Sequence, residues 1–179
     1  MSLSISNWLA KQNLRRIIGL LWFDLVWFCT VAGRNDWLWL AVPMILVQIY
    51  ISSKRPGFSW LLFGKLLAMG LVLESFVAAS AILDFTGGWL PLWLIGLWLG
   101  FAAMVTTTLD WLAGRYVIAG LIGLGSGPLT YAIGVRLGAA ELLVSEWVMW
   151  LTYGLLWASY MAVFAWLMER DKEVQYEHA

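Results

Sequence analysis

The chain has 179 residues, 62% of them hydrophobic and 12% charged, with Lys plus Arg equal to Asp plus Glu. A soluble domain carries roughly 25% charged residues, so this composition argues for a bilayer as solvent, and zero net charge without a basic cluster excludes a nucleic-acid partner. The single cysteine, Cys29, and single histidine, His178, exclude a disulfide framework, a cysteine or histidine metal centre and a histidine-based triad within one chain, so no metal or cofactor is expected.

Residues Leu3–Leu14 alternate apolar and polar at helical spacing. They predict a short interfacial helix, within a cytoplasmic segment 1–16. Lys11, Arg15 and Arg16 then precede an apolar run, as in a secretory signal. Asp24 interrupts that run and no small-x-small cleavage site follows, so the run reads as an uncleaved first span.

A helix needs about 20 apolar residues to cross the hydrocarbon. Stretches approaching that length are Ile17–Ala32, Trp37–Ile51, Trp60–Leu83, Trp89–Leu112, Tyr116–Leu137 and Trp147–Met168. The second is short and contains Pro43. The expected fold is all-α: a polytopic bundle of six transmembrane helices over residues 17–168, with a polar cytoplasmic tail at 169–179. With both termini inside, the cytoplasmic segments hold Lys11, Arg15, Arg16, Lys54, Arg55, Arg115, Arg170 and Lys172, against Arg34 and Arg136 outside. That bias sets the orientation. Trp37, Trp39, Trp89, Trp93 and Trp147 fall at the outer boundary and Trp8, Trp60, Trp111 and Trp166 at the inner one, where indole rings favour the headgroup level.

Three acids and one lysine lie inside these runs: Asp24, Glu74, Asp110 and Lys65. An ionisable group at bilayer depth costs a few kcal/mol and marks a proton path, a substrate site or a buried pair. Asp24, Glu74 and Asp110 are therefore the candidate catalytic residues. Glu74 shares a helical face with Gly70, Ala78 and Ala81, and Asp110 shares one with Gly96, Gly100, Ala103 and Thr107, so both point at protein. Lys65 is on the face opposite Glu74. It either snorkels to water or pairs with Asp24 or Asp110.

The fifth span carries Gly120, Gly123, Gly127, Gly134 and Gly138 within about 60° of one another. Such a stripe lets helices approach closely. Pro128 removes a backbone hydrogen bond, so Gly125–Pro128 reads as a packing kink or as a break lining a substrate path. The sixth span has an aromatic stripe of Trp147, Trp150, Tyr153, Trp157 and Tyr160. Aromatics at this spacing serve packing, or a π-rich wall around an unsaturated lipid or a cationic intermediate. Lys65, Tyr131, Trp98, Trp150, Tyr153 and Trp157 are the candidate substrate-binding residues.

The strings PLWLIGLWLGFAAMVTTTLDWL (Pro91–Leu112) and GPLTYAIGVRLGAAE (Gly127–Glu141) resemble the DUF2878 family of small bacterial inner-membrane proteins. Trp27–Phe28 and the acid of LVLESF (Leu71–Phe76) match as well, with Glu74 where the family commonly carries Asp. The resemblance covers most of Trp27–Glu141. It implies a bacterial inner-membrane location and a link to envelope lipid chemistry, and it brings no established activity.

Three functions fit these features. One is a protein that handles or modifies a membrane lipid or isoprenoid through intramembrane acids. Another is a small transporter or flippase, which would act as a homodimer because the chain shows no internal repeat. The third is a structural or assembly subunit held to a membrane-protein partner. A Glu74 carboxyl carrying a proton could donate it, which suits acid catalysis and proton-coupled movement alike.

Overall fold

The computed structural model describes residues 11–177. Six α-helices run in the order α1 (Lys11–Gly33), α2 (Leu38–Ser53), α3 (Trp60–Ala79), α4 (Leu92–Thr108), α5 (Tyr116–Arg136) and α6 (Glu146–Glu177). Short 3-10 turns at Arg34–Trp37 and Asp110–Leu112 follow α1 and α4. Four segments are long and apolar enough to cross a membrane: Asn13–Ser53, which joins α1 and α2 through the first 3-10 turn, Trp60–Ala79, Tyr116–Arg136 and Glu146–Gln175. Leu92–Thr108 is apolar but shorter. Its 17 residues span about 26 Å at 1.5 Å per residue.

The helices alternate in direction. At one end, Arg34 Nη1, after α1, donates to Leu137 O, after α5, at 2.9 Å. Beside it the connection after α3 pairs with the one after α5: β1 (Leu83–Phe85) and β2 (Ala140–Leu142) form an antiparallel ribbon with Leu83 opposite Leu142 and Phe85 opposite Ala140. At the other end, the start of α1 meets the turn after α4 through Arg16 and Asp110. The end of α6 meets that turn through Lys172 Nζ to Asp110 O at 2.9 Å, and meets the α2–α3 turn through Gln175 Nε2 to Gly57 O at 3.3 Å. Arg15, Arg16, Lys54, Arg55, Arg115, Arg170 and Lys172 thus share one end, and Arg34 and Arg136 the other.

The fold is all-α as expected, with this short ribbon added. Its segments are three residues each and too short for a period-2 signal. The helix ends explain why it forms. Helix α5 closes in a Schellman motif, with Ala139 N donating to Gly134 O at 2.9 Å, Gly138 N donating to Val135 O at 3.0 Å, and Gly138 at φ 75°. Helix α3 closes in the same way around Ala81, at φ 51°, with Ile82 N donating to Val77 O. The expected third span therefore stops at Ala79 rather than Leu83, and Ala81 leaves the face that holds Glu74. Leu83, Phe85 and Ala140 turn inward as buried residues, while Asp84 and Glu141 face out.

The interfacial helix expected over Leu3–Leu14 lies mostly outside the described residues. Within them, Lys11–Arg16 are the first turns of α1, with no break before Ile17. The expected polar tail is helical as far as Glu177, continuing α6. Arg, Lys, Glu and Gln are good helix formers, and Gln175 Nε2 donates to Asp171 Oδ2 at 2.7 Å.

Helix α5 is continuous through Pro128, without a break. The stripe of glycines divides. A Cβ at Gly123 would overlap the backbone carbonyl of Trp157, and one at Gly127 would overlap its side chain, so this stretch lies directly on α6. Gly134 instead faces Val31 of α1. The bundle exterior is strongly apolar: Trp39, Val72, Val117, Trp147 and Leu151 are all exposed.

Candidate functional site

Glu74 is fully buried in the third helix and meets side chains from three others. Trp98 Nε1, from α4, donates to its Oε1 at 3.1 Å. The Tyr131 hydroxyl, from α5, donates to the same oxygen. The Tyr153 hydroxyl, from α6, lies 3.3 Å from Oε2. An indole N–H can only donate, so Oε1 is an acceptor. Among the described residues no cation reaches Glu74.

Local sequence makes this convergence possible. Gly70 lies one helical turn before Glu74, and a Cβ there would overlap the indole of Trp98. The missing side chain lets the indole lie across α3 and reach the carboxyl. Around it the rings form a continuous cluster. Trp98 stacks on Trp157 with centroids 5.5 Å apart and planes at 21°. Tyr131 stacks on Tyr153 at 3.7 Å and 22°. Phe101 meets Trp98 and Trp157 edge-on at 5.4 and 5.2 Å. Tyr160 packs against Trp98 and donates to Leu66 O at 3.0 Å. Buried aromatic pairs in such geometry add about 0.5–1.5 kcal/mol each beyond their area.

On the other side of Tyr131 is a cavity of about 290 Å³. Helices α1, α4, α5 and α6 wall it, and the inward residues of the ribbon, Leu83, Phe85 and Ala140, cap it. Its lining is almost wholly apolar, the polar exceptions being Asp24, Ser126, Thr130 and Tyr131 beside indole nitrogens. Leu20 and Asp24 on α1 and Ile122 and Ser126 on α5 are both lining and exposed, so the cavity opens sideways between these two helices. The indole N–H of Trp157 is buried in its wall and makes no hydrogen bond to a described residue.

The structure brings Glu74, Trp98, Tyr131, Tyr153 and Trp157 together and leaves four other candidates apart. Asp24 is exposed at the mouth of the cavity. Asp110 lies in the 3-10 turn beyond α4 and pairs with Arg16, not Lys65, through Arg16 Nη2 to Oδ1 at 2.9 Å and Oδ2 at 3.1 Å. Lys65 is exposed on α3 without an ion pair to a described residue. Trp150 is on the outward face of α6. Sequence reasoning missed Gly70, Phe101 and Thr130 as parts of the site. Phe101 had a signal, three residues after Trp98 on the same helical face. Gly70 was legible as part of the small-residue face of Glu74, but not as the place where the Trp98 ring from another helix passes.

The chain belongs to the family described as "Protein of unknown function (DUF2878)", whose profile matches residues 16–163. No curated protein and no solved structure matches it.

Proposed function

We propose that this is a bacterial inner-membrane protein crossing the bilayer six times, with both termini cytoplasmic, that takes an apolar lipid or isoprenoid chain into the α1–α5 cleft. The observation that carries this reading is the position of Tyr131. Its ring lines an apolar cavity open to the side, and its hydroxyl donates to a fully buried acid. A cleft opening sideways admits a ligand from the bilayer without passage through water. Apolar walls with a few placed polar groups are what small-molecule sites use to orient a ligand.

In this reading a ligand proton taken up by the Tyr131 oxygen is matched by transfer of the hydroxyl proton to Oε1 of the Glu74 carboxylate, and the reverse step returns it. Trp98 and Tyr153 fix the carboxyl, and Tyr131 is the hydroxyl bonded to it that lines the cavity. The rings of Trp98, Phe101 and Trp157 present π-faces suited to an unsaturated chain or a developing positive charge. The two ends of the bundle support the orientation, since the cationic one carries the start of α1 and the end of α6.

The test is mass spectrometry of lipid retained by the purified protein, with Ser126→Trp as the cleft-blocking variant. Ser126 is exposed at the mouth, so the indole fills the entrance without disturbing the core. The expected result is a distinct apolar species with the natural sequence that is lost from Ser126→Trp. Retained lipid matching the bulk membrane, unchanged in the variant, would overturn the reading.

A further inference from the structure

A second recess, of about 480 Å³, lies at the opposite end of the bundle from the ribbon. We infer that it is a binding site for the phosphate group of a net-anionic phosphoester, seated among Arg15, Arg16, Arg55 and Lys172. These cations come from three separate segments: the start of α1, the α2–α3 turn and the end of α6. Among the described residues the only acid in the lining is Asp110, and it is already engaged by Arg16 at 2.9 Å.

Arg55 carries the argument furthest. It is half-buried in the turn after α2, where its carbonyl accepts from Phe58 N at 3.2 Å, so the backbone that presents it is fixed. Its guanidinium makes no ion pair or hydrogen bond to a described residue. A partly desolvated guanidinium sharing a recess with Arg15, Arg16 and Lys172 costs free energy unless an anion completes it. Positive-inside orientation asks only that cations flank the spans. It does not ask that three segments aim them into one recess. The planar fork of an arginine suits phosphate oxygens, and basic recesses between helices at this level hold lipid head groups. Phe58 and Met168 line the same recess and give the carbons next to the phosphate an apolar surface. This site is separate from the α1–α5 cleft and does not rest on the function proposed for it.

The phosphate could belong to an anionic lipid or to a soluble phosphoester, and the test separates the two. Full-length protein, stripped of lipid in detergent, is titrated with phosphatidylglycerol, phosphatidylcholine and glycerol 3-phosphate, with occupancy read by native mass spectrometry. Phosphatidylcholine carries the same phosphate beside a compensating cation. The expected result is at least about tenfold tighter binding of phosphatidylglycerol than of phosphatidylcholine, whose choline offsets the phosphate charge. That preference should vanish in Arg55→Gln and in Arg15→Gln/Arg55→Gln, and persist in Arg136→Gln at the other end of the bundle. Glycerol 3-phosphate binding without a lipid preference, lost in the same variants, supports a soluble phosphoester as the source. Arg15 and Arg55 hold no described partner, so the variants should melt like the natural sequence. Failure of all three ligands to bind, or a preference retained in the double variant, would overturn the assignment.

Discussion

The hydroxyl of Tyr131 donates to Oε1 of Glu74, the same oxygen that accepts from Trp98. One carboxyl thus ties α3 to α4 and α5, and Tyr153 adds α6. Removing it leaves donors from three helices without their acceptor. A buried group deprived of its partner costs about 1–3 kcal/mol.

Replacing Glu74 by Gln and by Leu separates shape from proton. Glutamine keeps a carbonyl oxygen for Trp98 and Tyr131 and turns its amide toward the Tyr153 oxygen. Glu74→Gln should therefore cost within about 1 kcal/mol, whereas Glu74→Leu should cost about 3 kcal/mol or more. Thermal melts in detergent measure both. Under the proposed function Glu74→Gln inserts and folds normally but loses cellular activity. A Gln variant with full activity would reduce Glu74 to a structural tie.

The glycines of α5 should respond in opposite ways. A side chain at Gly127 meets the Trp157 ring, so Gly127→Leu forces α5 from α6 and costs about 1–3 kcal/mol by overpacking. Two residues away, a Cβ at Gly125 meets nothing. Gly125→Ala should be neutral or stabilising by up to about 1 kcal/mol, because alanine is the better helix former. Equal melting temperatures for the two variants would contradict the α5–α6 packing.

Arg16 and Asp110 are about 22% and 31% exposed as side chains, so solvent screens their bidentate pair only in part. A double-mutant cycle with Arg16→Gln and Asp110→Asn should give a coupling of about 1 kcal/mol, the upper end for pairs that water still reaches. The coupling should shrink as salt rises. Zero coupling at low salt would show that the pair does not hold α1 to the turn after α4.

Topology has a direct measurement. Reporter fusions after Ala179 and within Gly33–Asp36 should signal from opposite sides, with the C-terminal one cytoplasmic. Matching signals from both would refute the proposed crossing pattern, whatever the bundle looks like.

The all-helical character of the chain and the approximate bounds of its apolar helices were legible in the sequence by itself. Runs of apolar residues near helical span length, separated by Gly33–Asp36, Ser52–Ser59 or Ala113–Arg115, admit little else, since backbone polar groups in such runs must bond within their own segment. The inward face of Glu74 was legible too, because Gly70 and Ala78 share it at a period of 3.6. The cation that would meet each acid was not. Lys65 was a candidate partner for Asp24 or Asp110, yet Asp110 found Arg16, 94 residues away; the partners of Glu74, Trp98, Tyr131 and Tyr153, come from three other helices. Periodicity gives a residue its face; which helix lies opposite, and at what height, depends on packing between segments far apart in the chain. The ribbon at β1 and β2 and the cleft between α1 and α5 arise in the same way. The ribbon needs two Schellman-closed helices to end side by side, and the cleft needs α1 to pack on α4 while α5 packs on α6, a choice made only in three dimensions.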